Sequence, residues 1–235
     1  PQAIHLKDYA PPPYLIDTVD LAFDLGEEVT QVRSTLALRA NPDAASPAGA
    51  LVLDGQDMRL ISVALDGRTL DPSEYSVGPE SLTIPGPPAS FSLEVVTELK
   101  PQENTSLSGL YRTSGNFCTQ CEAEGFRKIT YYLDRPDVMS KFTTTVSAEQ
   151  KAYPVLLSNG NPIASGSEDN GRHWTTWEDP FKKPAYLFAL VAGDLWCVED
   201  SFTTMSGREV ALRIYVEPEN IDKCQHAMDS LKKSM

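Results

Sequence analysis

No apolar run in these 235 residues approaches the roughly 20 that a bilayer span requires, so a membrane is not an expected partner. The stretch from Pro1 to Pro13 also lacks the basic-then-apolar order of a secretory leader, although a leader already removed would leave no trace. Basic charge is scarce. Twenty Lys and Arg stand against 33 Asp and Glu, a net charge of −13 with the 3 histidines neutral. The longest basic runs are the pairs Arg127-Lys128, Lys182-Lys183 and Lys232-Lys233, so a nucleic-acid backbone would meet repulsion over most of the surface. Nucleic acid is therefore not an expected partner either.

Histidine and cysteine are few and badly spaced for a metal. His5, His173 and His226 form no local ligand pair, and no His-Glu-x-x-His occurs. Cys118 and Cys121 have the C-x-x-C spacing, but a zinc ribbon needs a second close pair, and Cys197 and Cys224 lie far apart. A redox motif wants a helix directly after the cysteines, where Glu122-Ala123-Glu124-Gly125 breaks the frame. Free thiols are the expected state, which favours a reducing compartment. The sequon Asn104-Thr105-Ser106 would suit a secreted protein, but so short a pattern arises often by chance. Gly-x-Ser-x-Gly, P-loop and Gly-x-Gly-x-x-Gly patterns are missing too, leaving serine nucleophiles and nucleotide binding without local support.

What the chain does contain is 41% hydrophobic and 23% charged residue, the balance of a folded globular protein of one large domain or two small ones. From Tyr14 to about Val198 the pattern is β. Strands are expected over Leu15 to Leu25, Val29 to Arg39, Ala50 to Asp54, Met58 to Leu65, Ser81 to Ile84 and Ser90 to Leu99. In the first of these, Val19, Leu21, Phe23 and Leu25 alternate with Asp20, Ala22 and Asp24, which makes one face apolar. Turns are expected at Gly26-Glu27, Asp54-Gly55, Asp66-Gly67 and Pro85-Gly86-Pro87-Pro88, and a surface loop at Asn41 to Ala50. The second half continues with Lys141 to Ala148, Val155 to Ser158, His173 to Glu178, Ala185 to Ala192, Val198 to Thr204 and Glu209 to Val216. Leu187 to Ala192 is almost wholly apolar, as in a strand covered on both faces. Strands so closely spaced should be mostly antiparallel hairpins. Helical spacing enters late, with Ile221, Cys224, Met228 and Leu231, and Lys232-Lys233 suits the negative end of a helix. That helix reaches Met235 without a closing glycine, which predicts a piece of a longer protein.

One segment stands out chemically. Thr119 to Arg127 sets Gln120, Glu122 and Glu124 around small residues beside Gly125. Spacing alone reads it as a solvated acidic turn, while acceptor groups displayed on a loop would also suit capture of an ammonium group. Cys121 between them reads as a small buried spacer, since no base accompanies it. Near Pro136 the residues read as a structural turn, with Asp134 pairing to Arg135 or Arg135 to Asp137.

The run Thr119-Gln120-Cys121-Glu122-Ala123-Glu124-Gly125-Phe126-Arg127 resembles the N-terminal region of the aminopeptidase N family of zinc metallopeptidases, the bacterial cytosolic type most of all. So do Tyr131-Tyr132-Leu133-Asp134-Arg135-Pro136-Asp137-Val138-Met139 and Lys141-Phe142-Thr143. Tyr153 to Gly160, Asp179-Pro180-Phe181, Pro184 to Asp194 and Ser206 to Glu209 repeat the family's order of motifs. The specific likeness runs from about Leu107 to Met235, and earlier residues resemble the family in pattern only. It implies a mainly β fold: a saddle-shaped, antiparallel β-sandwich-like N-terminal domain over 1–194. Residues 195–235 would be the first strands and first helix of a thermolysin-like catalytic domain. The family's Gly-Ala-Met-Glu-Asn and His-Glu-x-x-His motifs lie beyond Met235, so the resemblance implies zinc in the complete enzyme and neither metal ligands nor catalytic residues in this chain. Its implied activity is removal of N-terminal residues from peptides in the cytoplasm. Matched motif to motif, Glu122 would receive the peptide's α-ammonium and Gln120 would line the pocket for the first side chain. The implied partners are peptides, through the free N-terminus, and the remainder of the catalytic domain. Without the family, the same all-β pattern would allow a non-catalytic β-sandwich binding module.

Overall fold

Alternating apolar residues force a strand to bury one face, and Val19, Leu21 and Phe23 do so while Asp20, Ala22 and Asp24 stay exposed. A bulge between Ile16 and Thr18 resets the parity, which turns Tyr14 and Ile16 inward as well. The computed structural model describes residues 5–44 and 49–235, so residues 45–48 of the expected surface loop fall outside the description.

Among the described residues seventeen strands follow one another: β1 (Tyr14–Asp24), β2 (Thr30–Ala40), β3 (Leu51–Asp54), β4 (Arg59–Leu65), β5 (Arg68–Thr69), β6 (Ser76–Val77), β7 (Ser81–Ile84) and β8 (Ser90–Leu99). Next come β9 (Gly109–Thr113), β10 (Asn116–Gln120), β11 (Ser140–Glu149), β12 (Val155–Ser158), β13 (Asn161–Ser167), β14 (Arg172–Lys183) and β15 (Leu190–Gly193). The last are β16 (Trp196–Thr203) and β17 (Glu209–Val216), ahead of helix α1 (Gln225–Ser234). Eight strands form the main sheet in the order β13-β14-β11-β1-β2-β8-β4-β5. Its neighbours are antiparallel except β1 and β11, which run parallel from Thr18–Lys141 to Asp24–Ser147. A four-stranded sheet, β12-β15-β10-β9, and a three-stranded one, β3-β7-β6, contribute to the same continuous core. Phe23 of β1 stacks on Phe188 with ring centres 5.8 Å apart, joining the main sheet to the segment that leads into β15. The hairpin β16-β17 pairs with no other strand among the described residues, and Lys232 of α1 makes an ion pair with Asp200 of β16.

Three expectations need correction. The apolar stretch from Ala185 is not strand throughout: Ala185–Leu187 makes a 3-10 turn and β15 starts at Leu190. Burial of the Phe188 ring in the core diverts the backbone there, and Leu187 is left half exposed. The strand expected at His173 to Glu178 extends over Arg172–Lys183, because β11 pairs along it from Ser140–Lys183 to Glu149–Arg172, beyond the residues that β13 reaches. The last helix begins at Gln225 rather than near Ile221, after a 3-10 segment over Pro218–Lys223.

Candidate functional site

The hairpin β9-β10 delivers the chain to Gln120, which ends a strand where a loop was expected and pairs with Gly109. Cys121 then drops into the core at 2% exposure. The Gly125 N–H donates to the Cys121 carbonyl at 2.8 Å and closes a tight turn. Phe126 follows, fully buried, with its ring centre 4.9 Å from Tyr132, 5.4 Å from Phe188 and 6.0 Å from Phe142. Between these anchors Glu122, Ala123 and Glu124 are exposed. The Glu122–Ala123 peptide bond is cis.

Gly109 and Gly125 let the two ends of the turn meet. Gly109 sits at φ +79°, in the left-handed region, and an added Cβ would lie 2.7 Å from Cβ of Lys128. At Gly125 the obstacle is backbone on every side: the Gln120 carbonyl, Cα of Cys121 and the Gly109 nitrogen. A side chain at either position would force β9 and the turn apart.

The two acids of the turn differ in their partners. Glu124 lies 3.6 Å from Nη1 of Arg127, whereas the Glu122 carboxylate has no ion-pair partner among the described residues. Nε2 of Gln120 donates to the Glu122 carbonyl in a long contact of 3.4 Å, so the structure brings together the two residues singled out from the sequence. An unpaired carboxylate beside a carboxamide offers acceptors to a cation and supplies no nucleophile.

Arg127 is the fixed point behind the turn. Its Nε donates to Oδ2 of Asp134 at 3.0 Å and its Nη2 to the Asp134 carbonyl at 3.0 Å. Its backbone N–H reaches the same Oδ2 at 3.1 Å, and its carbonyl accepts from Gln56 N–H at 2.9 Å. Asp134 is 2% exposed in its side chain, and burial pushes its carboxyl above the ordinary aspartate range against the pull of Arg127. Asp54, at the end of β3, accepts the Asp134 N–H at 3.1 Å and exchanges backbone bonds with Tyr132 at 2.8 and 3.0 Å. Sequence reasoning missed this cluster. It offered Asp134–Arg135 or Arg135–Asp137; the second forms, at 2.7 and 2.9 Å, while Asp134 goes to Arg127. A charged run inside an otherwise apolar stretch, Asp134-Arg135 after Ile129 to Leu133, is the signal that could have pointed to a buried partner.

Cys121 is the spacer expected: burial, aided by the Asp134 charge, pushes its thiol up to about 12 and keeps it protonated. All four cysteines are free. Among the described residues no group of three or more His, Cys, Asp or Glu side chains could hold a metal ion, and Nε2 of His173 is taken up by the Tyr153 carbonyl at 2.7 Å. The described residues therefore do not fit a zinc ion. No helix among the described residues is long and apolar enough to cross a membrane.

The Peptidase M1 N-terminal domain family matches residues 18–187. Aminopeptidase N of Caulobacter vibrioides is 52% identical over 235 residues, 100% of this chain and 27% of its own length. The crystal structure of Legionella pneumophila aminopeptidase A in complex with aspartic acid superposes with a TM-score of 0.94 at 39% identity, over 98% of this chain and 27% of that one. A mutant M1 zinc metallopeptidase of Deinococcus radiodurans, bound to a Tyr-Ser-Ala substrate, shares the fold at a TM-score of 0.73 and 18% identity, covering 89% of this chain and 49% of that one. The chain thus spans about a quarter of the curated relative it matches over its whole length.

Proposed function

This chain belongs to the M1 peptidase family, whose N-terminal domain it carries, and we propose that it is the part of a zinc aminopeptidase that receives the free N-terminus of a peptide. Glu122 takes the α-ammonium and Gln120 borders the pocket for the first side chain. The observation that carries the reading is the exposed, unpaired Glu122 carboxylate on a turn held by buried Cys121 and Phe126. An exopeptidase must tell a chain terminus from an internal amide, and a fixed carboxylate opposite an ammonium gives a charge-assisted bond that no internal amide can make.

Residues 1–194 form the recognition domain in this reading, and 195–235 open the catalytic domain. The isolation of the β16-β17 hairpin from the other sheets supports that division. Zinc belongs to the complete enzyme in this reading and would be held by residues outside this chain. Peptides and the rest of the catalytic domain are the partners, and the cytoplasm, where thiols stay reduced, is the compartment that four free cysteines support.

The test is Glu122→Gln in the full-length enzyme. It should leave the fold intact, since an exposed carboxylate without a partner contributes little to stability. It should lower kcat/KM for free-amine substrates tens-fold, about 2 kcal/mol of transition-state binding. Glu124→Gln makes the same charge change two positions on and should do far less. Equal losses in the two variants would remove the role assigned to Glu122.

A further inference from the structure

The turn presents two acids of the same charge, two residues apart and both exposed, yet an ammonium site needs one of them in one place. Free in solution, Glu122 and Glu124 would compete for the same cation. Arg127 separates them. Its side chain is only 15% exposed and its Nε and Nη2 are committed to Asp134, which leaves Nη1 for other partners. Nη1 lies 3.6 Å from Oε2 of Glu124 and 3.9 Å from Oδ1 of Asp54.

We propose that Arg127 is a positioning residue for amine recognition: anchored by Asp134, it draws Glu124 aside and leaves Glu122 as the one carboxylate of the turn available to the substrate. This rests on the reading of Glu122 given above. Only an arginine can do both jobs, because the planar fork has separate donors for Asp134 and for Glu124. A lysine offers one point charge, which the buried carboxylate would claim.

The test uses the full-length enzyme assayed on an aminoacyl reporter amide. Glu124→Gln removes the competing charge and should keep kcat/KM within about twofold of wild type. Glu124→Asp keeps the charge but shortens the stem beyond reach of Nη1, and should raise KM about threefold with kcat little changed, the scale of an exposed ion pair. Arg127→Lys should show the same KM effect, and adding Glu124→Gln to it should restore the loss. A turn that had simply loosened would not be rescued in this way. Glu124→Asp alters only an exposed side chain, so it carries the test even if Arg127→Lys fails to fold. The proposal is overturned if Glu124→Asp behaves like Glu124→Gln, or if a folded Arg127→Lys loses activity that Glu124→Gln does not return. Glu122→Gln in the same series separates the two ideas: full activity there refutes the amine-site reading, and this proposal with it, whereas a tens-fold loss alongside a silent Glu124→Asp refutes only the role of Arg127.

Discussion

Replacing Gly125 by alanine should destabilise the chain, although general rules point the other way. Gly125 has φ −84° and ψ −17°, in the right-handed region open to every L-residue, so no backbone strain attaches to a side chain there. Removing a glycine also narrows the unfolded ensemble, worth about 0.4–1 kcal/mol in favour of alanine at a compatible site. Position 125 is not compatible. An added Cβ would lie 3.0 Å from Cα of Cys121 and 3.0 Å from the Gly109 nitrogen, and closer still to the Gln120 carbonyl oxygen. All three are backbone atoms, so no rotamer change can make room. The methyl group must either push β9 off β10 or open the turn that the Gly125–Cys121 hydrogen bond closes. Forcing one extra carbon into such a contact costs about 1–3 kcal/mol, which exceeds the entropic gain.

Urea unfolding followed by circular dichroism, with linear extrapolation, measures the difference directly. Gly49→Ala is the control, because a Cβ there has nothing within 4 Å and the position is exposed. Its midpoint should hold or rise while that of Gly125→Ala falls. A Gly125→Ala chain as stable as the parent would mean that the close approach of Gly125 to Cys121 and Gly109 does not limit the turn.

Cys197 is exposed and should react with a thiol reagent at neutral pH, while buried Cys121, its thiol pushed up to about 12, should react only as the chain unfolds; early labelling of Cys121 counts against the packing described. Acid should weaken the fold in a defined window. Arg68 holds Glu74 down to about 2, Tyr153 lowers Glu27 by its hydrogen bond, and Arg135 lowers Asp137 in the same way. Because each folded carboxyl sits below its unfolded value, its contribution is present above about pH 4 and lost as pH falls through the folded value, so the urea midpoint should drop between about pH 5 and pH 3. A flat profile there contradicts these assignments. Asn104→Ala should cost about 1–2 kcal/mol, since Nδ2 donates to the Ser108 and Leu110 carbonyls at 2.9 Å each; an unchanged melting temperature shows those bonds to be dispensable.

Strands with one apolar face were legible in the sequence nearly to the residue. Ser81 to Ile84 and Val155 to Ser158 form as expected, and β1 and β2 are displaced by a single position. Strands held by backbone bonds alone were not. β13 is exposed along almost its whole length, and Asn-Pro-Ile-Ala-Ser-Gly-Ser carries no alternation; it exists because β14 offers an edge, with a bulge after Pro162 where a ladder donor is missing. The two-residue strands β5 and β6 are too short to show a period at all. Nor does any local feature announce the parallel pairing of β1 with β11, which depends on everything folded between them.

At the candidate site the sequence identified residue types, and the family motif ranked Glu122 above Glu124, but neither supplied the reason the two acids differ. That reason lies in an order of energies. A buried carboxylate such as Asp134, left without its cation, costs about 3–5 kcal/mol, so Asp134 dictates where the Arg127 guanidinium points. The exposed pairing of Arg127 with Glu124 is worth only about 0.2–1 kcal/mol and takes whichever donor remains. Glu122, on the far side of Ala123, has no ion-pair partner among the described residues, so the one guanidinium near the turn goes to Glu124. Spacing along the chain cannot show this, because Asp54 and Asp134 reach Arg127 through β3 and the buried segment that follows the turn. An asymmetry between neighbouring surface charges is thus written in the core beneath them, and a substitution at Asp134 should blur it as surely as one at Arg127.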